Sequence, residues 1–324
     1  MKKVFIALIL AQIVIITYLL IQIYQKHQQI LGAWVLNPIQ KETVDLAPSE
    51  NLKYFYEPLG SKQKINEWIP YSQGVTYNIN SDSLNERYEY TLEKPTDTYR
   101  IITLGDSFTF GLYVNTKDNW PEKLEDLLNE KKSCSNIKKF EVINLGVHGY
   151  DQIYSVERFK KRGIKYNPDL VLWMLTDLTR VQEKMQPIVN KLWKETHKNG
   201  DFDMNNKNGD YYYIWNSAVS KVYEEIGEEN IYNYQKWALN QINNYWKNKL
   251  VVLSPHNSLN NDQLLIVKDF ISNRQNTFFY NKLTDLTKIN GIFPDFHPNQ
   301  KGHRVFAEEI FRYLFRENII PCKK

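Results

Sequence analysis

A chain of 324 residues with 42% hydrophobic and 24% charged side chains can bury a sizeable core, which excludes a disordered or fibrous protein. Its net charge of +4 is small, and 41 basic and 37 acidic residues are mixed along it, so it carries no nucleic-acid footprint. The two cysteines, Cys134 and Cys322, form no C-x-x-C and no Cys/His cluster, which argues against a structural zinc site.

Met1-Lys2-Lys3 precedes an apolar run from Val4 to about Tyr24, interrupted only by Gln12, Thr17 and Gln22. A bilayer core needs about 20 apolar residues in a helix. A secretory signal has only about 7–15, followed by a small-residue cleavage site, and no A-x-A pattern follows here. Residues 1–25 therefore read as an uncleaved single-pass signal-anchor, with a cleaved signal peptide or a buried core helix as alternatives. Lys2 and Lys3 put the N-terminus in the cytoplasm and the large domain on the extracytoplasmic side. Residues 26–50 are polar, contain Pro38 and Pro48, and read as a stalk. Residues 51–96 are rich in Tyr, Asn and Ser, with alternating stretches such as Tyr88-Glu89-Tyr90-Thr91-Leu92. They read as an accessory β segment of short strands and turns.

From residue 97 the pattern becomes alternating α/β. Tyr99–Leu104 is a β-rich run ending in Gly105, and Asn119-Trp120-Pro121 opens a helix whose apolar face is Trp120, Leu124, Leu127 and Leu128. Phe140–Leu145 reads as a second strand, ending at Gly146. A helix follows near Asp151–Arg162, with Gly163 as its stop. Leu170–Leu175 is a third strand. Residues 179–248 break the rhythm with Trp193, Trp215, Trp237, Trp246 and Tyr211-Tyr212-Tyr213, and read as a helical insertion with one flexible loop. Lys249–Pro255 and Asn276–Tyr280 restore the sheet. A last amphipathic helix follows Pro298, with Val305, Phe306, Ile310, Leu314 and Phe315 facing inward. Alternation at this spacing implies a mostly parallel sheet covered on both faces. Cys322 falls in a tail that reads as ragged. An oxidising compartment would permit its pairing with Cys134, and the sequence leaves that open.

In open α/β sheets, ligand sites lie beyond the carboxyl ends of the strands. Ser107, Gly146 and Thr176-Asp177 each follow a predicted strand, and His297 arrives in a loop before the last helix. A nucleophilic serine needs a base, and the base needs an orienting acid, which Asp295 and His297 supply as a pair.

Thr103-Leu104-Gly105-Asp106-Ser107-Phe108-Thr109-Phe110-Gly111 resembles the nucleophile block of the GDSL/SGNH hydrolases. Asn144-Leu145-Gly146-Val147-His148-Gly149 resembles the block with the oxyanion glycine, and Asp295-Phe296-His297-Pro298-Asn299-Gln300-Lys301-Gly302-His303 resembles the histidine block. The resemblance runs from about 97 to the C-terminus. It implies a three-layer α/β sandwich with a flavodoxin-like sheet over residues 97–324. It also implies a Ser107–His297–Asp295 triad, with Ser107, Gly146 and Thr176 as oxyanion donors and no metal or organic cofactor. His148 and Asp177 stand beside them as possible substrate-binding residues. Two departures from the pattern are visible. Thr176 stands where the family has an asparagine, and Asp295 lies two residues before the histidine, where three are usual.

These features lead to the expectation of a membrane-anchored, extracytoplasmic serine ester hydrolase acting on O-acyl groups of a glycan or on a small ester. The alternatives are an O-acyltransferase using the same site and a catalytically weakened glycan-binding protein on the same fold.

Overall fold

The computed structural model describes residues 52–60, 63–67, 74–131, 134–196 and 207–323, together with residues 12 and 15–18. The rest of the apolar N-terminal run and the stalk lie outside the described residues. Among those described, no helix is long and apolar enough to cross a membrane.

Two antiparallel strands, β1 (Gln63–Glu67) and β2 (Val75–Ile79), form a hairpin in the lead-in segment. The stretch Tyr88–Leu92, expected to hold a strand, is irregular instead. It crosses the edge of the main sheet, where side chains rather than a backbone ladder make the contacts.

The main sheet contains β3 (Thr98–Leu104), β4 (Lys139–Asn144), β5 (Leu170–Met174), β6 (Leu250–Pro255) and β7 (Thr277–Leu283). Its spatial order is β4-β3-β5-β6-β7, every pairing is parallel, and this is the flavodoxin-like order expected from the sequence. The order reverses between β3 and β5, so the crevice opens beyond their carboxyl ends. The inner strands β3, β5 and β6 are buried on both faces; β5 and β6 are largely apolar, and β3 buries Arg100 by pairing it with Glu141.

The edge strand β4 is closed by side chains. Asn129 Oδ1 accepts the Phe140 N–H at 2.9 Å, Glu125 Oε2 accepts the Val142 N–H at 2.7 Å, and Glu86 Oε1 accepts the Asn144 N–H. Alternate outward N–H groups are thus satisfied without another strand, which removes the hazard of an open edge.

Helices cover both faces. On one lie α2 (Trp120–Glu130), started by Asn119 and Pro121, and α8 (Gln300–Arg316). Phe306, Ile310 and Leu314 of α8 are fully buried against Trp120, Leu124 and Leu128 of α2. Val305 and Phe315, expected to face inward with them, are only partly buried. On the other face lie α3 (Gln152–Arg158), α6 (Glu228–Asn240) and α7 (Asn261–Ser272). Gly163 does not stop α3. It keeps a right-handed φ of −77° within a continuing turn, and the chain leaves at Asn167, whose φ is 47°. Gly163 is needed for close packing, because a Cβ there would meet the Phe159 ring at 2.4 Å.

The insertion is helical, with α4 (Gln182–Thr196), α5 (Lys207–Ile226) and α6 packed over Val147, Tyr150 and Tyr154. The expected loop at 198–210 lies mostly outside the described residues. The C-terminal tail is not ragged. Cys322 is disulfide-bonded to Cys134, and the Ser135 N–H donates to Lys323 O at 2.8 Å.

Candidate active site

Ser107 follows β3 directly and begins the short helix α1 (Ser107–Phe110). Gly105 makes the turn with φ of 146°. A Cβ there would meet Thr109 Oγ1 at 2.4 Å and Met174 O at 2.9 Å, so only glycine lets β3 and β5 close at this point. Asp106 caps the helix, its Oδ1 accepting the Phe108 N–H at 3.0 Å.

His297 is delivered by the loop before α8. Its Nε2 lies 2.9 Å from Ser107 Oγ, and its Nδ1 lies 3.0 Å from Asp295 Oδ2. Asp295 Oδ1 also accepts the His297 backbone N–H at 3.3 Å. The short spacing between Asp295 and His297 is accommodated by Phe296, whose φ of 70° turns the chain back on itself. Residues 107, 295 and 297 therefore form one hydrogen-bonded chain across a sequence separation of 190. Aromatic rings pack around the imidazole, with Phe108 at 5.6 Å and Tyr113 at 5.4 Å between centroids.

The other expected oxyanion donors are engaged elsewhere. The Gly146 N–H donates to Asn144 Oδ1 at 2.9 Å, while Asn144 Nδ2 holds Thr109 O at 3.0 Å. The Thr176 hydroxyl donates to Asp106 Oδ2 at 2.5 Å. A hydroxyl has one proton, so Thr176 cannot give a second hydrogen bond to an oxyanion. The backbone N–H groups of Ser107 and Gly149 have no backbone acceptor among the described residues. Gly149 has φ of 78°, and a Cβ on it would meet the Tyr56 hydroxyl at 2.6 Å.

His148 and Asp177 are both close by. Burial, with His297 and Arg180 nearby, pushes His148 down to about 3, so its imidazole is neutral. Asp177 is committed to its own turn, accepting from the Thr179 N–H at 2.7 Å and pairing with Arg180 Nε at 3.1 Å. His303, in the histidine block, is fully buried. Its Nδ1 accepts the Trp120 N–H at 3.2 Å, which fastens α8 to the start of α2. Burial pushes it down to about 3, which keeps that nitrogen an acceptor.

Several groups were missed in the sequence. The Tyr56 hydroxyl donates to His148 O at 2.8 Å, Gln182 Nε2 donates to Gly149 O, and the Tyr150 hydroxyl donates to Tyr56 O. Arg180 reaches Asp106 Oδ2 at 3.0 Å, and its guanidinium lies 5.8 Å from the Trp215 ring centre. No local signal marks these residues, since each acts on a loop far away in sequence.

The model of the GDSL-like Lipase/Acylhydrolase family matches residues 101–310. No curated protein matches the chain. Among solved structures, a two-domain esterase active on acetylated mannans, co-crystallised with mannopentaose, is 16% identical. The match covers 69% of this chain and 51% of that one, with a TM-score of 0.40. The chain thus spans about half the length of that esterase. A catalytic mutant of an acetylxylan esterase from Geobacillus stearothermophilus is 14% identical, covering 66% of this chain and 93% of its own, with a TM-score of 0.37. A psychrotrophic esterase from Pseudoalteromonas sp. is 13% identical, with coverage of 68% and 99% and a TM-score of 0.40.

Proposed function

We propose that this chain, which belongs to the GDSL-like lipase/acylhydrolase family, cleaves O-acyl esters with Ser107 as nucleophile, His297 as general base and Asp295 as its orienting acid. Carboxylic ester hydrolysis is the class of reaction that family membership assigns. The observation that carries the assignment of roles is the hydrogen-bonded chain from Ser107 Oγ through His297 to Asp295 Oδ2.

His297 Nε2 takes the hydroxyl proton as Ser107 Oγ attacks the acyl carbonyl. The charge that develops on the carbonyl oxygen needs donors already in place. The backbone N–H of Ser107, at the start of α1 and without a backbone acceptor among the described residues, fills that role. The imidazolium then passes its proton to the departing alcohol oxygen, leaving an acyl-serine. Water attacks that ester with His297 again as base, and the acid departs. Neutral His148 adds no second positive charge beside the imidazolium.

The substrate class in this reading is an O-acylated glycan. The part-exposed rings of Trp215 and Tyr56 lie on the insertion side and Tyr113 beside His297, and flat aromatic faces suit the apolar faces of sugar rings. The reading places the domain outside the cytoplasm, tethered by the apolar run of residues 1–25. The Cys134–Cys322 disulfide supports an oxidising compartment.

The test is hydrolysis of a short-chain nitrophenyl ester and of an O-acetylated glycan by the purified full-length protein. Ser107→Ala should abolish both. Equal rates for the two proteins would overturn the assignment.

A further inference from the structure

Asp106 is 4% exposed, and its side chain precedes the nucleophile by one residue. It accepts three donors: the Phe108 N–H, the Thr176 hydroxyl and Arg180 Nη1. Only the last carries charge. A buried carboxylate without a partner is costly, and next to a site that must gather negative charge it also opposes the transition state.

Arg180 lies just before α4, where the helical insertion begins. Its Nη1 reaches Asp106 Oδ2 at 3.0 Å and Tyr150 O at 3.5 Å, and its Nε pairs with Asp177 Oδ2 at 3.1 Å. Gln235 of α6 donates to the Arg180 carbonyl, and the Trp215 ring of α5 lies beside the guanidinium. The insertion therefore holds one cation against the acid that caps the nucleophile helix.

We infer that Arg180 is a positioning residue, acting through Asp106. It neutralises the capping carboxylate, so that the Ser107 turn keeps its shape and the oxyanion forms without an opposing buried charge. The inference rests on the hydrolase reading above. It assigns the insertion an electrostatic task at the nucleophile turn, in addition to any contact with substrate. Thr176 fits the same scheme, because its hydroxyl serves Asp106 too.

A double-mutant cycle on nitrophenyl ester hydrolysis by the full chain tests this. In the native background, Arg180→Gln should lower kcat by about tenfold or more, with KM changed less than about threefold. In the Asp106→Asn background, where the buried carboxylate is gone and only the part-exposed Asp177 remains for Arg180 to pair with, the same change should lower kcat less than about threefold. Arg180→Lys keeps the charge and should retain more activity than Arg180→Gln. It also reads the charge if Arg180→Gln fails to fold. The same kcat loss in both backgrounds, a loss confined to KM, or Lys and Gln variants that are equally impaired would overturn the role of Arg180 while leaving the hydrolase reading intact. A native protein that neither turns over the ester nor labels at Ser107 with a fluorophosphonate would overturn both.

Discussion

Asp295 holds His297 at two points. One carboxylate oxygen lies 3.0 Å from the ring Nδ1, and the other accepts the backbone N–H at 3.3 Å. The acid thus fixes the ring's tautomer and the turn that carries it. Asp295→Asn leaves a similar shape but can present an N–H to Nδ1, which favours the wrong tautomer. The expected fall in kcat is roughly 10³- to 10⁴-fold with little change in KM, read from ester hydrolysis. A loss below tenfold would remove Asp295 from the reaction.

Phe296 sits between acid and base in the left-handed region, with φ of 70°. That conformation costs about 1–2 kcal/mol for a residue with a Cβ. Phe296→Gly removes that strain but makes the unfolded chain freer, so its melting temperature should stay close to the native value. Phe296→Val, branched at Cβ, should lower it and reduce kcat more than Phe296→Gly does. The opposite ranking would show that the ring, not the backbone, is what this position supplies.

Thr176 distinguishes two roles by magnitude. Loss of an oxyanion donor lowers kcat by about 10²–10³. Loss of one hydrogen bond to Asp106, with Arg180 still in place, costs about 1–3 kcal/mol of stability. Thr176→Val should therefore lower the melting temperature and reduce kcat less than tenfold. A 10²-fold loss with native stability would return Thr176 to the oxyanion hole.

Burial raises two carboxyls, Glu125 behind β4 and Asp151 at the start of α3, each to about 7. The folded chain holds those protons, while the unfolded chain releases them near 4.5 and 3.8. The stability they contribute is complete below those lower values and is lost as pH rises through about 7. Urea denaturation at pH 5 and pH 8 should give the lower midpoint at pH 8. Glu125→Gln should shrink that difference. A midpoint that is flat across the interval would show that neither group carries such a shift.

The strands were legible because β5 and most of β6 are apolar runs and β3 is rich in β-branched residues, as buried parallel strands demand, and their order followed from the family resemblance. Ser107 and His297 were legible because each follows a strand end or precedes a helix within a recognisable block. The hydrogen bonds that engage Gly146 and Thr176 were not. Whether the Gly146 N–H faces a ligand depends on where Asn144 turns its side chain, and that is fixed by Thr109 in another segment. Thr176 is likewise decided by Asp106, 70 residues away. The tail looked ragged because its partners, Ser135 and Asn136, sit in an equally polar loop.

The disulfide closes a loop with a sequence separation of 188 and should contribute about 2–5 kcal/mol. Cys322→Ser should lower the melting temperature markedly under non-reducing conditions. In reducing buffer the variant and the native protein should converge. An unchanged melting temperature would show that the tail's hydrogen bonds hold without the bond.

Asp295 and His297 lie inside the covalent ring closed by Cys134 and Cys322, and Ser107 lies outside it. Along the backbone Ser107 and His297 are 190 residues apart. Through the sulfur bridge the path shortens to about 50, which lowers the entropy of bringing them together by roughly 1 kcal/mol. The bridge joins Cys134 ahead of β4 to the tail after α8, yet it is a shortcut between Ser107 and His297. An oxidised chain that loses its tertiary packing keeps those two residues on a short leash.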